Sequence, residues 1–231
     1  MEHILKWVAK LHKTFVASGY YKIMLEGLGN TILITIGALA IGVAIGVLIA
    51  TVKYLSEDNK IFRPFAKVCD IYVTAIRGIP VVVLLLIFYL LIMRACTNGV
   101  LVATITFGIN SGAYMAELIR SGINAVDKGQ TEAGRSLGLS RLETMRHVVL
   151  PQAVRYVLPA IGNEFIALLK ETSVAGYVAV VDLTRAGNLV RNNTFDAFNP
   201  LMVIALTYLI MVLGLTWLLG KAEKYMAKEK R

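Results

Sequence analysis

The sequence predicts an all-α integral membrane protein. Three observations carry that prediction. The 231 residues are 57% hydrophobic with only 17% charged, where soluble domains are about 45–50% apolar. The charge is absent from long runs: residues 27–52, 78–93, 95–116, 172–181 and 197–220 contain none. About 20 apolar residues rising 1.5 Å each cross a hydrocarbon layer of about 30 Å. Backbone groups in lipid must bond within their own segment, so each run is expected to be a helix.

Taken in order, residues 1–22 read as an interfacial amphipathic segment. Ile4, Leu5, Val8, Leu11, Phe15 and Val16 form an apolar stripe at helical spacing, with Lys6, Lys10 and Lys13 between them and Lys22 beyond. The lysines interrupt any apolar core, so a cleavable signal peptide is not expected. The first span is about 27–52, where Gly42 and Gly46 form a small-xxx-small pair suited to close helix packing. The second is about 70–93 and contains Arg77-Gly78-Ile79-Pro80. Proline removes a helix hydrogen bond and clashes with the preceding turn, so this span is expected to kink or break. The third is about 101–120.

Residues 121–155 are too charged to cross, yet Leu137, Leu142, Met145 and Val148–Leu150 give them apolar faces. Short helices are expected, the first ended by Gly138 and the second started by a Ser140/Glu143 capping box. The fourth span is about 156–181. A loop rich in Asn and Asp is expected over 182–200, then a fifth span at about 201–220 and a basic tail, 221–231. The domain expectation is thus a transmembrane unit over 23–220 between the interfacial segment and the tail.

Fifteen of the 24 Lys and Arg fall in the stretches 51–69, 120–156 and 221–231; seven fall in 1–22, 94–99 and 182–200. Positive charge collects on the cytoplasmic side. The N-terminus is therefore expected outside, with the C-terminus and the 121–155 segment in the cytoplasm. The same bias accounts for the net charge of +9 without nucleic acid. Cys69 and Cys96 fall near opposite ends of one span, too far apart for a disulfide. His3, His12 and His147 are scattered, no metal set is expected, and there is no phosphate-cradling G-x-x-x-x-G-K-[ST]. No nucleophile-and-base arrangement suggests an enzyme.

Polar residues inside the spans do suggest function, since each charge at a helix centre costs about 2.5–3.5 kcal/mol on insertion scales. Asn110, Tyr114 and Glu117 share one face of the third span. Asn163, Ala167 and Lys170 share a face of the fourth, with Glu164, Leu168 and Glu171 beside it, and Arg77 adds a cation at the kink. One reading is a pathway holding a charged or zwitterionic solute on Asn163, Glu164, Glu117, Arg77, Lys170 and Tyr114. The other is a structural ion-pair network among Arg77, Lys170, Glu117 and Glu171.

Four stretches and one segment carry a family resemblance. Gly29-Asn30-Thr31 with Leu33 resembles a G-x-x-x-T-L opening, and Arg77-Gly78-Ile79-Pro80 resembles R-G-T-P. The run Ala113 to Ile123 resembles A-Y-x-A-E-x-x-R-G-G-I, and Asn163 to Ser173 resembles N-x-F-I-x-L-L-K-x-T-S. Thr131–Pro151 resembles the E-A-A, three residues, G, nine residues, I, one residue, L-P signature, with Gly134 for the third Ala and Val148 for Ile. These motifs are similar to those of polar amino acid permeases of ABC importers, the histidine/glutamine/arginine group.

The resemblance implies a MetI-like ABC importer permease fold of five transmembrane helices in a prokaryotic plasma (inner) membrane. It implies a second permease subunit, identical or related, and an extracellular amino-acid-binding protein. It implies a cytoplasmic ABC ATPase that binds ATP and Mg, with no cofactor in this chain. The ATPase would dock on Glu132, Ala133, Gly134, Arg135, Leu137, Gly138, Arg141 and Leu142. The expected solute is a polar amino acid, with basic ones (arginine, lysine, histidine) preferred because carboxylates line the spans. An ion-gradient-driven amino acid carrier is the alternative, and it fits poorly with a short chain lacking an internal repeat.

Overall fold

The computed structural model describes residues 9–228, so the first half of the expected interfacial stripe lies outside the described residues. Nine α-helices organise them, with short 3-10 and π-helical turns between, and there is no strand among the described residues. They are α1 (Tyr21–Asp58), α2 (Arg63–Gly78), α3 (Val81–Ile87), α4 (Gly99–Asn124), α5 (Lys128–Ser136), α6 (Arg141–Thr144), α7 (Leu150–Glu171), α8 (Leu183–Thr194) and α9 (Phe198–Lys228). A helical turn over His12–Ala17 precedes them.

Among the described residues α1, α4 and α9 are each long and apolar enough to cross a membrane. The expected second span is broken: helical segments Lys60–Gly78 and Val81–Ile92 meet at 108°. Ile79 and Pro80 are extended there, with ψ of 129° and 135°; the prolyl ring pushes the residue before it out of the helical region and has no N–H to continue the helix. Counted as one span, this pair makes a fourth crossing. The expected fourth span, 156–181, differs. Helix α7 begins at Leu150 and stops at Glu171, and a tight 3-10 stretch, Thr172–Val178, follows. It carries Arg155, Glu164, Lys170 and Glu171, too many charges to qualify by apolarity alone.

The loop expected over 182–200 is mostly a helix. Asp182 caps α8, accepting hydrogen bonds from the backbone N–H groups of Thr184 and Arg185. Leu183, Ala186, Gly187 and Val190 recur at helical spacing and are buried. They pack with Phe15, Met24 and Ile204, so the segment folds back over the ends of α1 and α9. The Asn and Asp residues that suggested a loop supply its cap and its polar face.

The main core joins Ile34 and Ala38 of α1, Leu85 of α3, Ala103 and Phe107 of α4, Leu168 of α7 and the 175–180 stretch. Its tightest seam is α1 on α4. A Cβ at Gly42 would lie 2.8 Å from Ser111 Oγ, and one at Gly46 would lie 2.5 Å from Met115 Cβ and 2.9 Å from its backbone carbon. In return, Cβ atoms at Gly108 and Gly112 would each fall 2.7 Å from side-chain atoms of Ile41 and Ile45. Each helix thus offers glycines to the other's larger side chains. The expected small-xxx-small pair is intrachain packing, and its partner glycines on α4 complete it.

Loops sort to two ends of the bundle. At one end Lys10 bonds Asp196 at 2.8 Å, Asn30 donates to the Val181 carbonyl, and Gly99 abuts Val178 and Val180. At the other, the end of α1 meets the 121–149 segment.

Two outcomes are expected. Replacing Gly46 with Ala forces α1 off the α4 backbone and should cost about 1–3 kcal/mol, the usual range for overpacking, read as thermal unfolding in detergent. Gly29→Ala, which meets nothing within 4 Å, should be neutral or stabilising by up to ~1 kcal/mol. The second concerns pH. The Lys10 ammonium, then the Asn199 amide, hold the Asp196 carboxyl down at about 2 against an ordinary 3.8. A depressed carboxyl stabilises fully above its unfolded value and loses that contribution as pH falls through the folded one. The difference in unfolding temperature between the parent and Lys10→Met should therefore be constant from neutral pH to about 5 and shrink toward pH 2.

Candidate functional site

Two polar clusters occupy successive turns of α4. The first is a cleft of about 440 Å³ among the C-terminal end of α1, α2 and α4, lined by Lys53, Asp70, Thr74, Arg77, Tyr114 and Glu117. Lys53 pairs with Asp70 at 2.5 Å. The Arg77 guanidinium lies 5.2 Å from the Tyr114 ring centroid, within the reach of a cation–π contact. Glu117 is bound by Arg120 of its own helix at 2.7 Å, so it is held at the cleft wall. The cleft thus presents cations and carboxylates together.

The second cluster lies one turn away, between α4 and α7. Asn110 Nδ2 donates to Glu171 Oε2 at 3.5 Å, and Ser111 Oγ donates to Glu164 Oε1 at 3.2 Å. Glu164 and Glu171 are two helical turns apart on one face of α7, both partly buried. Among the described residues neither joins a salt bridge. The two carboxylates are thus hydrogen-bonded by an amide and a hydroxyl of α4, and the nearby Lys170 charge acts on Glu171 without direct contact.

The expected set therefore divides. Arg77, Tyr114 and Glu117 meet in the cleft, and Glu164 faces α4. Asn163 and Lys170 lie on the neighbouring face of α7 and are exposed on the subunit surface, with Lys170 close enough for its charge to act on Glu171. Of the ion pairs considered for Arg77 or Lys170 with Glu117 or Glu171, none is in direct contact among the described residues, although Arg77 acts on Glu117 and Lys170 on Glu171 at longer range. Lys53, Asp70, Thr74 and Ser111 were not anticipated. Lys53 and Asp70 had marked only where spans end, and a lone serine in an apolar run gives no signal.

The 128–149 segment is built as its residues dictate. Helix α5 ends where Gly138 adopts φ +84°, a conformation glycine takes without strain. Leu139 N–H bonds back to the Gly134 carbonyl, and Arg135 donates to the Leu139 carbonyl at 2.8 Å. Helix α6 starts with a full capping box between Ser140 and Glu143. Ser140's side chain and backbone hold the Glu143 carboxyl below its ordinary range. Leu137 and Leu142 project outward, 83% and 65% exposed, with Glu132, Ala133 and Arg135 also on the surface. Met145 instead turns inward onto Val126, Val149 and Ala153. Gly134 is buried because Thr144 fills its space: a Cβ there would lie 2.7 Å from the Thr144 methyl. This explains why glycine stands where the motif has alanine.

The fold and this segment define a membrane-embedded helical unit with exposed apolar side chains, Leu137 and Leu142, at one end. The matching family model, that of the binding-protein-dependent transport system inner membrane component, spans residues 24–226. Curated relatives include the probable glutamine ABC transporter permease protein GlnM of Bacillus subtilis (strain 168), 33% identical over 90% of this chain and 95% of its own length. The arginine transport system permease protein ArtQ of the same organism is 35% identical, over 89% and 92%. The glutamine transport system permease protein GlnP of Escherichia coli (strain K12) is 36% identical, over 88% and 93%.

Among solved structures, an amino acid ABC transporter crystallised with histidines superposes with TM-score 0.82 at 37% identity, over 90% of this chain and 96% of that one. The inward-facing MetNI methionine ABC transporter shares the fold, with TM-score 0.73 at 18% identity, over 88% and 95%. The chain belongs to the binding-protein-dependent transport system inner membrane component family. It is a multi-pass membrane permease subunit of an ABC importer, with the MetI-like fold.

The Gly134–Thr144 contact yields a test. Thr144 is fixed by its hydroxyl bond to the Ser140 carbonyl at 2.9 Å, so it cannot swing aside. Gly134→Ala should loosen the α5–α6 packing by about 1–3 kcal/mol and speed proteolysis of the 128–149 segment. Adding Thr144→Ser, which removes the methyl and keeps the hydroxyl, should restore resistance.

Proposed function

We propose that this chain forms the translocation pathway of an ATP-driven importer for polar amino acids, with basic ones preferred. The observation that carries the reading is the Glu164/Glu171 pair, two partly buried carboxylates on one face that join no salt bridge among the described residues, with the Lys170 charge acting on Glu171 only at longer range. An amino acid's α-ammonium can answer one carboxylate, and a basic side chain answers the second. Arg77 would take up the α-carboxylate at the cleft, with Tyr114 and Glu117 beside it. Asn163 and Lys170, exposed on the lone subunit, would complete the pathway where a second permease subunit packs. The glutamine and arginine permeases among the relatives support the solute class.

The chain itself supplies no ATP site in this reading. A separate cytoplasmic ATPase, carrying ATP and Mg, would seat on Leu137 and Leu142. Their exposed apolar side chains fit a partner groove, and Glu132, Ala133, Arg135 and Gly138 form the surrounding surface. An extracellular binding protein would deliver solute at the opposite end. That end bears Lys10, Asp196 and α8, and it is the one the charge bias assigns to the outside of a prokaryotic plasma membrane. ATP turnover would shift the pathway between outward and inward access.

The test is uptake by the reconstituted complex across arginine, histidine, glutamine and glutamate. Arginine should be imported best. Glu164→Gln should lower arginine uptake per ATP hydrolysed by about tenfold to a hundredfold, the loss expected when a charged contact of ~1.5–3 kcal/mol is removed. Glutamine uptake should fall less. A glutamine preference in the parent, with equal losses for both solutes in the variant, would overturn the basic preference. Gly138→Asp should separate ATP hydrolysis from import, because its backbone conformation disfavours a side chain.

A further inference from the structure

Arg141 was expected to face a partner protein, and the structure gives it three contacts inside its own chain. Its guanidinium lies 4.8 Å from the Tyr54 ring centroid. The same group bonds the Glu57 carboxylate. Its backbone carbonyl accepts a hydrogen bond from the Tyr54 hydroxyl at 3.1 Å. Tyr54 and Glu57 lie one turn apart at the cytoplasmic end of α1. The guanidinium is thus held on its face by an aromatic ring and at its edge by a carboxylate, which fixes its direction as well as its position.

The adjoining residue of α1 does different work. Lys53 points into the solute cleft, where it pairs with Asp70 at 2.5 Å beside Arg77 and Tyr114. One helical turn, 53–57, therefore touches the cleft with one side and Arg141 with the other. Arg141 is followed directly by Leu142, one of the two outward leucines. A displacement applied at Leu142 is passed to Arg141, from there to Tyr54 and Glu57, and along the same turn to Lys53. Side chains at 33% and 66% exposure form a pair of the kind that adds little to stability. Its geometry serves to keep two elements in register.

We propose that Arg141 is a positioning residue that joins the ATPase-facing segment to the solute cleft through the last cytoplasmic turns of α1. The inference rests on the reading of Leu137 and Leu142 as the docking surface. It differs from that reading in assigning Arg141 inward, to the lever, and away from the partner.

The test uses the assembled transporter with its ATPase in proteoliposomes, reading amino acid imported per ATP hydrolysed. Arg141→Glu and Glu57→Arg alone should each lower that ratio by roughly 5-fold or more, the lower bound of typical coupling between sites. The double variant, which restores the pair with reversed charge, should recover most of it. Where a reversal fails to insert, Arg141→Lys and Glu57→Gln keep size and are read on the same ratio. An unchanged ratio in the single variants overturns the proposal. So does loss of ATPase binding in Arg141→Glu that the double variant does not recover, since Arg141 then contacts the partner directly. Failure of the parent complex to couple ATP to import would instead overturn the importer reading itself.

Discussion

The seam between α1 and α4 sets the positions of everything else. Glycines on both helices bring the backbones together, so that Gly46 meets the Met115 backbone and Gly112 meets Ile45. Lipid offers no hydrophobic gain for joining two apolar helices, and close van der Waals packing must supply the attraction. Fixing this seam fixes the rotation of α4. With α4 so turned, Ser111 and Asn110 face α7, while Tyr114 and Glu117 line the cleft that ends at Lys53. The polar chemistry of the subunit is arranged on a helix whose orientation is decided largely by glycines and the side chains that fill their space.

Much of this was legible in the chain. Uncharged runs located the three long apolar helices, because lipid penalises charge so heavily that the signal needs no periodicity. Pro80 announced the break in the second span, and Ser140 with Glu143 announced the start of α6. What failed was a boundary and a loop. Helix α7 ended ten residues early because apolar composition between Glu171 and Asp182 says nothing about backbone path. Helix α8 was hidden because Asn and Asp are equally at home in loops, in caps and on exposed helix faces; the four apolar residues behind Asp182 were its true signature.

The site was legible in parts. Helical spacing brought Tyr114 and Glu117 together and put Glu164 and Glu171 on one face, but it joined Asn110 to the first pair where the structure turns it to Glu171. It could not say which face of α7 turns inward, since Asn163–Lys170 and Glu164–Glu171 offer equivalent polar stripes. Packing around Leu168, which is fully buried, makes that choice. Lys53 and Asp70 escaped notice for a related reason: the same charge that marks the end of a span can also be tucked into a cleft.

The contacts of Asn30 and Thr31 carry a consequence for how the chain is made. Thr31 is fully buried on the first long helix; its hydroxyl oxygen accepts the Leu183 N–H from 152 residues downstream, and Asn30 donates to Val181, 151 residues away. Synthesis delivers residues at about 5–20 per second, so α1 enters the bilayer many seconds before its partners exist. Throughout that interval the bilayer holds a helix with uncommitted polar groups and an open glycine face. The seam with α4 can shut midway through translation, whereas the outer end of α1 must wait for α8. Maturation of this subunit is therefore ordered in time, with the α1–α4 seam closing first and the end that meets α8 last.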